Sequence, residues 1–472
     1  MKVCFVQHAS EYPLFIPLVR ELVKQGVEPV FVCKTPEVHV EYQKAGFAST
    51  FISEIFRDTT NVSRQEKEEC DAMYGPPGIK EVCVSDLHLE AFFGSDENAK
   101  ESLVVQAIKF WEAFFDAQKI EYLIMRETAT FATRTAYVVA KKRGIPFMQL
   151  SVGPADDTFC MLDVGESYAW RDLVTGVTQK THFPLSVSQK EEVKTFIASR
   201  LHKENTLPLR YVPPALFSSL HKLAGTWLYD TKKNRQENPI KVASMIKSRK
   251  DFLKKLYWKY WTRPLFRYDQ VEDEKYVYFP FYSGNETNYL TMDHHWSIEQ
   301  IALIKEVALS LPSGYSLYVK EHPFNPGYFT YPELREMQRI PNVKVLPPTL
   351  STFDLIEKCS GIVTLEGTVG WEGFLAQKPI VCLGMLPYYA YSPLVYSVGN
   401  IGSLTQVLWQ SLRAGSTVYT ENQEEWLWFI YQVISTCSQG SLVRLHPPYG
   451  FSDDSENARK MAEQIWKRMQ PS

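Results

Sequence analysis

Several things are scarce in this chain of 472 residues, and each scarcity excludes something. No Cys-x-x-Cys pair occurs among the eight cysteines (Cys4, Cys33, Cys70, Cys83, Cys160, Cys359, Cys382, Cys437), which removes a zinc ribbon and a disulfide framework and points to a reducing compartment. No run approaches the roughly 18 apolar residues a membrane span needs, and the N-terminus MKVCFVQHASEYPLF lacks a signal-peptide core. The expectation is therefore a cytoplasmic protein. The net charge of −3 gives no bulk attraction for nucleic acid, so no nucleic-acid partner is expected. Gly-x-Gly-x-x-Gly is absent from the turn after the first strand, which removes a dinucleotide fingerprint there. No repeat of 20 to 50 residues and no low-complexity tract appears. The adjacent His294 and His295 beside Asp293 cannot readily share one ion, and no metal site is expected.

What is present is globular: 45% hydrophobic and 22% charged residues, with 26 Tyr and 11 Trp. The length exceeds what one core usually serves, so two domains are expected. KVCFVQ (2–7), an amphipathic helix over 13–25 ending at Gly26, and EPVFVC (28–33) form a β-α-β opening. His8, Ser10 and Glu11 lie in its first turn and are candidates for the acceptor side of a site. Residues 50–100 read as largely polar and irregular. A helix over 102–118 then leads to the strand YLIMRE, whose end carries Glu127, and on to a helix closed by Gly144 and the strand IPFMQLS. The carboxyl edge of an open parallel sheet faces the ligand crevice, so Glu127 is placed as a general base. Capping its own helix, or pairing with Arg126 or Arg134, would explain it equally well.

From 188 to 268 the sequence becomes helical and basic. Residues 241–268 hold nine Lys or Arg against one acid, Asp251. Met245, Phe252, Leu253, Leu256, Tyr257, Tyr260 and Trp261 give that stretch one apolar face, suited either to an anionic membrane surface or to packing on its own domain. A second β-α-β series follows: YVYFPF, a helix over 297–311, SLYVKEHP, NVKVL, a helix over 352–358, GIVTL and PIVCLG. The fold class expected is α/β, two Rossmann-like domains facing a cleft. Residues 1–270 would form the N-terminal domain with the helical basic segment 188–268, and 271–472 the C-terminal domain, whose last helix (456–469) crosses back.

Three loops of the second half should meet at one sheet edge: 280–288 (PFYSGNETN), 320–323 (KEHP) and 366–372 (EGTVGWE). Strand, glycine turn and helix make an anion-binding geometry, because a helix N-terminus presents N–H groups and roughly half a unit of positive charge. The candidate nucleotide-binding residues are Pro280, Tyr282, Ser283, Lys320, His322, Pro323, Gly367, Thr368, Val369, Gly370 and Glu372. Glu372 could accept from ribose hydroxyls, and His322 could stabilise charge on a leaving nucleotide.

In their order and spacing, YVYFPF, VKEHP and TLEGTVGWEGFLAQKPIVCLG resemble the capsule polysaccharide biosynthesis family. That family includes bacterial β-Kdo transferases and is related in motif to bacterial sialyltransferases of the glycosyltransferase B fold. The resemblance covers about 275–390 and implies an inverting, metal-independent transfer of an acidic sugar from a CMP-activated donor to a surface glycan or lipid-linked acceptor, without a cofactor; the basic segment 241–268 would put the protein at the inner face of the membrane. It implies that His322 and Pro323 contact the donor phosphate, that Thr368 binds the same phosphate, and that Glu372 follows it. An acidic base from the first domain is the family expectation. Two departures stand out. Gly367 precedes Thr368 where relatives have two hydroxyl residues, and Pro280-Phe281-Tyr282 replaces a Pro-Leu-Gln, which puts the base of the nucleotide in question. The alternatives are transfer from a UDP-sugar, a sugar-nucleotide 2-epimerase of the same layout, and a non-catalytic carbohydrate-binding protein.

Overall fold

A computed structural model describes the chain except residues 8–11, 53–61, 76–77, 87–88, 90–92, 129, 164–169, 202–223, 226, 229–230, 232–238, 282–299, 322–328, 366, 384–386, 443–454 and 471–472. The expectations for His8, Ser10, Glu11, Tyr282, Ser283, His322 and Pro323 therefore lie outside the described residues. Two compact units emerge. The first comprises Met1–Arg171, Phe217–Arg249 and Thr436–Ser472, the second Asp172–Leu216 and Lys250–Ser435. A single cut at 270 does not reproduce this division. Helix Val187–Leu201 packs in the second unit, and the last helix, Ser455–Met469, packs on helix Tyr12–Lys24 in the first.

In the first unit, β1 (Lys2–Gln7), β2 (Glu28–Cys33), β3 (Ala48–Phe51), β4 (Tyr122–Met125) and β5 (Phe147–Val152) run parallel in the order β5-β4-β1-β2-β3. Strands β6 (Thr158–Leu162) and β13 (Ser438–Gln439) extend the sheet antiparallel beyond β5. Both faces are covered. Cys4 and Val6 pack with helices Glu97–Gln118 and Phe131–Lys142, whereas Val3 and Phe5 pack with the first and last helices. Burial on alternate sides is why KVCFVQ reads as a continuous apolar run rather than an alternating one.

The stretch expected to be irregular, 50–100, contains helices Arg64–Tyr74 and Ile79–Ser85 and the start of Glu97–Gln118. Their signal is local: Ser63 caps the backbone N–H of Glu66, and the Glu66 carboxylate accepts from Ser63 N at 2.8 Å. Abundant charge on the exposed faces masks the apolar periodicity.

In the second unit, β7 (Tyr276–Pro280), β8 (Ser316–Lys320), β9 (Val343–Leu346), β10 (Gly361–Thr364), β11 (Ile380–Leu383) and β12 (Tyr396–Val398) form an all-parallel sheet ordered β12-β11-β10-β7-β8-β9. Counted from β7, this is the 3-2-1-4-5-6 order of a doubly wound nucleotide-binding fold, with its switch point between β7 and β10. Its core joins Val277, Phe279, Val319 and Val363 to Leu303, Ile304 and Val307 of helix Gln300–Ser310.

Candidate functional site

At the switch point of the second unit, the chain leaves β10 through Leu365 and turns at Gly367 into helix Thr368–Leu375. Three glycines spaced by three make that turn possible. Gly367, the N-cap, sits at φ +94° and ψ 169°, a conformation open to glycine and strained for any other residue. Gly370 lies under the ring of Tyr389, and a Cβ there would stand 2.2 Å from the phenolic oxygen. Gly373 lets the helix settle on the sheet, where a Cβ would meet Ile362 Cδ1 at 2.2 Å. One glycine serves the turn, one a close approach and one helix–sheet contact. A glycine N-cap brings no side chain of its own to the first backbone N–H groups, those of Thr368, Val369 and Gly370.

Lys320, at the end of β8, is 2% exposed. Its Nζ donates to the Leu350 carbonyl at 2.9 Å and to Thr352 Oγ1 at 2.7 Å, and Tyr278 hydrogen-bonds the same Thr352. Lys320 thus ties the start of helix Thr352–Lys358 to the central strands. Burial pulls its pKa down to about 8, against the pull of Glu372. Glu372, in the first turns of its helix, is pushed by burial up to about 7, with Arg200 and Lys320 drawing it the other way. Arg200 comes from helix Val187–Leu201, whose Phe196 ring lies 6.4 Å from that of Trp371. The site therefore holds one carboxyl poised near neutrality and two cations. Pro280 ends β7 beside Lys320, its partner in the ladder. Glu321 is buried, accepting from Tyr268 Oη at 3.3 Å and from Phe329 N at 3.4 Å, which fixes the backbone immediately before His322.

Glu127 is also at a switch point, after β4 in the first unit, but its surroundings differ. Oε1 accepts from Lys34 Nζ at 2.5 Å and from Thr130 Oγ1 at 3.2 Å; Oε2 accepts from Thr130 N at 3.1 Å and from Thr133 Oγ1 at 2.9 Å. A carboxylate offers about four acceptor positions, and these bonds occupy them. Asp86 Oδ2 takes the Phe131 N–H at 2.8 Å. The helix at this switch point is thus closed by carboxylates, whereas its counterpart in the second unit opens on a glycine. Of the two arginines weighed as partners, Arg134 pairs with Glu81 at 2.7 Å, and Arg126 donates to the Leu150 carbonyl. Lys34, 93 residues away in sequence, is the partner no local pattern announces.

The sequence brought Lys320, the Gly367–Gly370 turn and Glu372 together correctly at one edge. It missed Arg200, Thr352, Tyr278 and Tyr389. Of these, Tyr278 lies in the YVYFPF motif and Tyr389 in PYYAY just after a strand end, whereas Arg200 and Thr352 carry no local signal.

The all-parallel sheet, with a glycine-capped helix start at its switch point, places the second unit among doubly wound α/β folds. Residues 297–400, which contain β8 through the Gly367–Gly370 turn and on past β12, match the family described as capsule polysaccharide biosynthesis protein, bearing out the resemblance carried by VKEHP and the block from Thr364 to Gly384, while YVYFPF lies before the matched stretch. No curated protein matches the chain in sequence. Among solved structures, the chain is similar to Thermosulfurimonas dismutans KpsC, beta Kdo 2,7 transferase (10% identity, 98% of this chain and 99% of that one, TM-score 0.40). It is similar also to UDP-GlcNAc 2-epimerase from Neisseria meningitidis (14% identity, 99% and 100%, TM-score 0.29). Likenesses this distant decide neither substrate nor mechanism.

Proposed function

We propose that the protein is a glycosyltransferase of capsule polysaccharide synthesis whose second unit holds the nucleotide-sugar donor, with the phosphate on the N–H groups of Thr368, Val369 and Gly370. The observation that carries this is the glycine-capped helix start at the switch point, inside the stretch matched by the capsule family. On this reading Thr368 adds its hydroxyl to the phosphate, Glu372 faces the ribose, and Pro280, Tyr282 and Ser283 border the base. His322 and Pro323, next to the anchored Glu321, meet the leaving phosphate. The finer assignment follows the sequence resemblance: a CMP-linked acidic sugar such as Kdo, transferred with inversion, without a metal, to a surface glycan or lipid-linked acceptor. His8, Ser10 and Glu11 would line the acceptor side. Because its acceptor positions are occupied, Glu127 is assigned to holding the helix entry and Lys34 rather than to taking the acceptor's proton.

Thermal unfolding with CMP, UDP and GDP tests the nucleotide, since a ligand that binds the folded state raises its melting temperature. CMP should give the largest shift, and Thr368→Ala should reduce it. A preference for UDP would replace the CMP assignment. Release of free epimerised sugar without an acceptor would replace the transferase with an epimerase.

A further inference from the structure

We propose that the basic helical segment ending at Leu265 is a docking surface for an anionic lipid bilayer. Helix Pro239–Tyr257 continues through a wider turn, Trp258–Thr262, and a last short turn to Leu265. Its apolar residues split into two stripes. Trp258, Thr262 and Phe266, four apart, are buried: Phe266 joins the core of the second unit, and Trp258 Nε1 donates to Tyr268 Oη at 3.1 Å, which in turn donates to Glu321. Leu253, Tyr257, Trp261 and Leu265, also four apart, form a neighbouring stripe joined by Tyr260, and these five side chains are between 41% and 68% exposed. The sequence suggested that one face would serve either packing or a membrane. The structure divides the labour: one stripe anchors the segment and the other faces outward.

Charge identifies the occupant. Nine Lys or Arg against Asp251 alone fall within 241–268, in a chain of net charge −3, and Lys250, Lys254 and Arg267 are exposed. Exposed Trp and Tyr rings on a lysine-rich helix suit the headgroup boundary, where the ring body enters the acyl region and basic side chains meet lipid phosphates. A second copy of the chain fits poorly, because a two-fold contact would set two strongly basic segments against each other. Among the described residues no helix is long and apolar enough to cross a membrane, and the contact proposed lies in the plane of the surface. The anchor through Tyr268 to Glu321 would hold the lipid face a short path from the donor site. The docking itself does not depend on the transferase assignment.

Co-sedimentation of the full chain with vesicles tests this without donor or acceptor. Vesicles of phosphatidylcholine with about one-third phosphatidylglycerol should bind at least tenfold more tightly than phosphatidylcholine alone, and about 0.5 M salt should weaken the binding. Trp261→Ser/Leu265→Ser and, separately, Lys250→Glu/Arg267→Glu should each lower it about tenfold with unchanged thermal unfolding, because all four side chains are exposed. Equal binding to both vesicle types, indifference to the variants, or a dimer that Trp261→Ser/Leu265→Ser dissolves in the absence of any vesicle binding would overturn the proposal. A CMP-induced melting shift that persists in the variants separates failure here from failure of the donor site.

Discussion

The phenolic oxygen of Tyr389 donates to the Gly367 carbonyl at 3.1 Å while its ring lies against Gly370, so one side chain from beyond β11 holds both glycines of the turn. Gly370→Ala should therefore destabilise the protein. Alanine gains up to about 1 kcal/mol of helix propensity over glycine, but displacing a packed ring costs about 1–3 kcal/mol, and the second effect should win. In a Tyr389→Ala background the same substitution should instead stabilise, by up to about 1 kcal/mol. A double-mutant cycle in chemical denaturation reads the coupling.

Restoring a hydroxyl at the turn should not help. Gly367→Ser supplies the residue type that the apparent relatives carry, yet at φ +94° it takes on strain of about 1–3 kcal/mol. The expected outcome is a lower melting temperature and a smaller CMP-induced shift than in the parent protein. Improved CMP binding would mean that the phosphate is held by side chains rather than by the backbone.

The site should respond to pH near neutrality. The Glu372 pKa is raised from 4.5 to about 7, so the folded state binds the extra proton, and its contribution to stability falls as pH rises between those values. Lys320 is lowered from 10.5 to about 8, so the cost of its buried charge is full below about 8 and is relieved as pH rises toward 10.5. Glu372→Gln should flatten the decline between about pH 5 and 7.5, making the variant's relative melting temperature rise with pH across that window. Ionisation of Glu372 also adds negative charge near the anion site. CMP affinity in the parent should accordingly weaken as pH passes 7, whereas in Glu372→Gln it should not.

Glu127 and Lys34 should behave as a structural pair. Glu127→Ala strands a buried ammonium and should cost about 3–5 kcal/mol, whereas Lys34→Met/Glu127→Gln should recover much of the loss. Glu127→Gln should keep sugar transfer within a few-fold. Loss of transfer at an unchanged melting temperature would return the role of base to Glu127.

Much of the second unit was legible because its signals are local. Short β-branched runs gave β7, β8, β10 and β11, and the glycines after Leu365 gave the turn, since a positive φ and a helix start depend on neighbouring residues. Residues 50–100 were misread for the complementary reason: helices Arg64–Tyr74 and Ile79–Ser85 are short and rich in charge, and their weak periodicity becomes a face only when the long helix Glu97–Gln118 is there to bury it. Strands β12 and β13 are short and lie at the edges of their sheets, and sheet neighbours rather than propensity define them.

By itself, then, the sequence determined two α/β series and a glycine turn opening a helix in the second, because backbone conformation is set over a few residues. The tertiary structure alone decided which groups act on one another: the Lys34 ammonium bonds Glu127, Lys320 bonds the Thr352 hydroxyl, and Arg200 lowers the pKa of Glu372. Those partners lie far apart along the chain and are joined only by the order in which the strands assemble. The same assembly divided the aromatic face of 241–268 into a buried stripe and an exposed one, because burial depends on what packs against a helix and periodicity records only that it has a face.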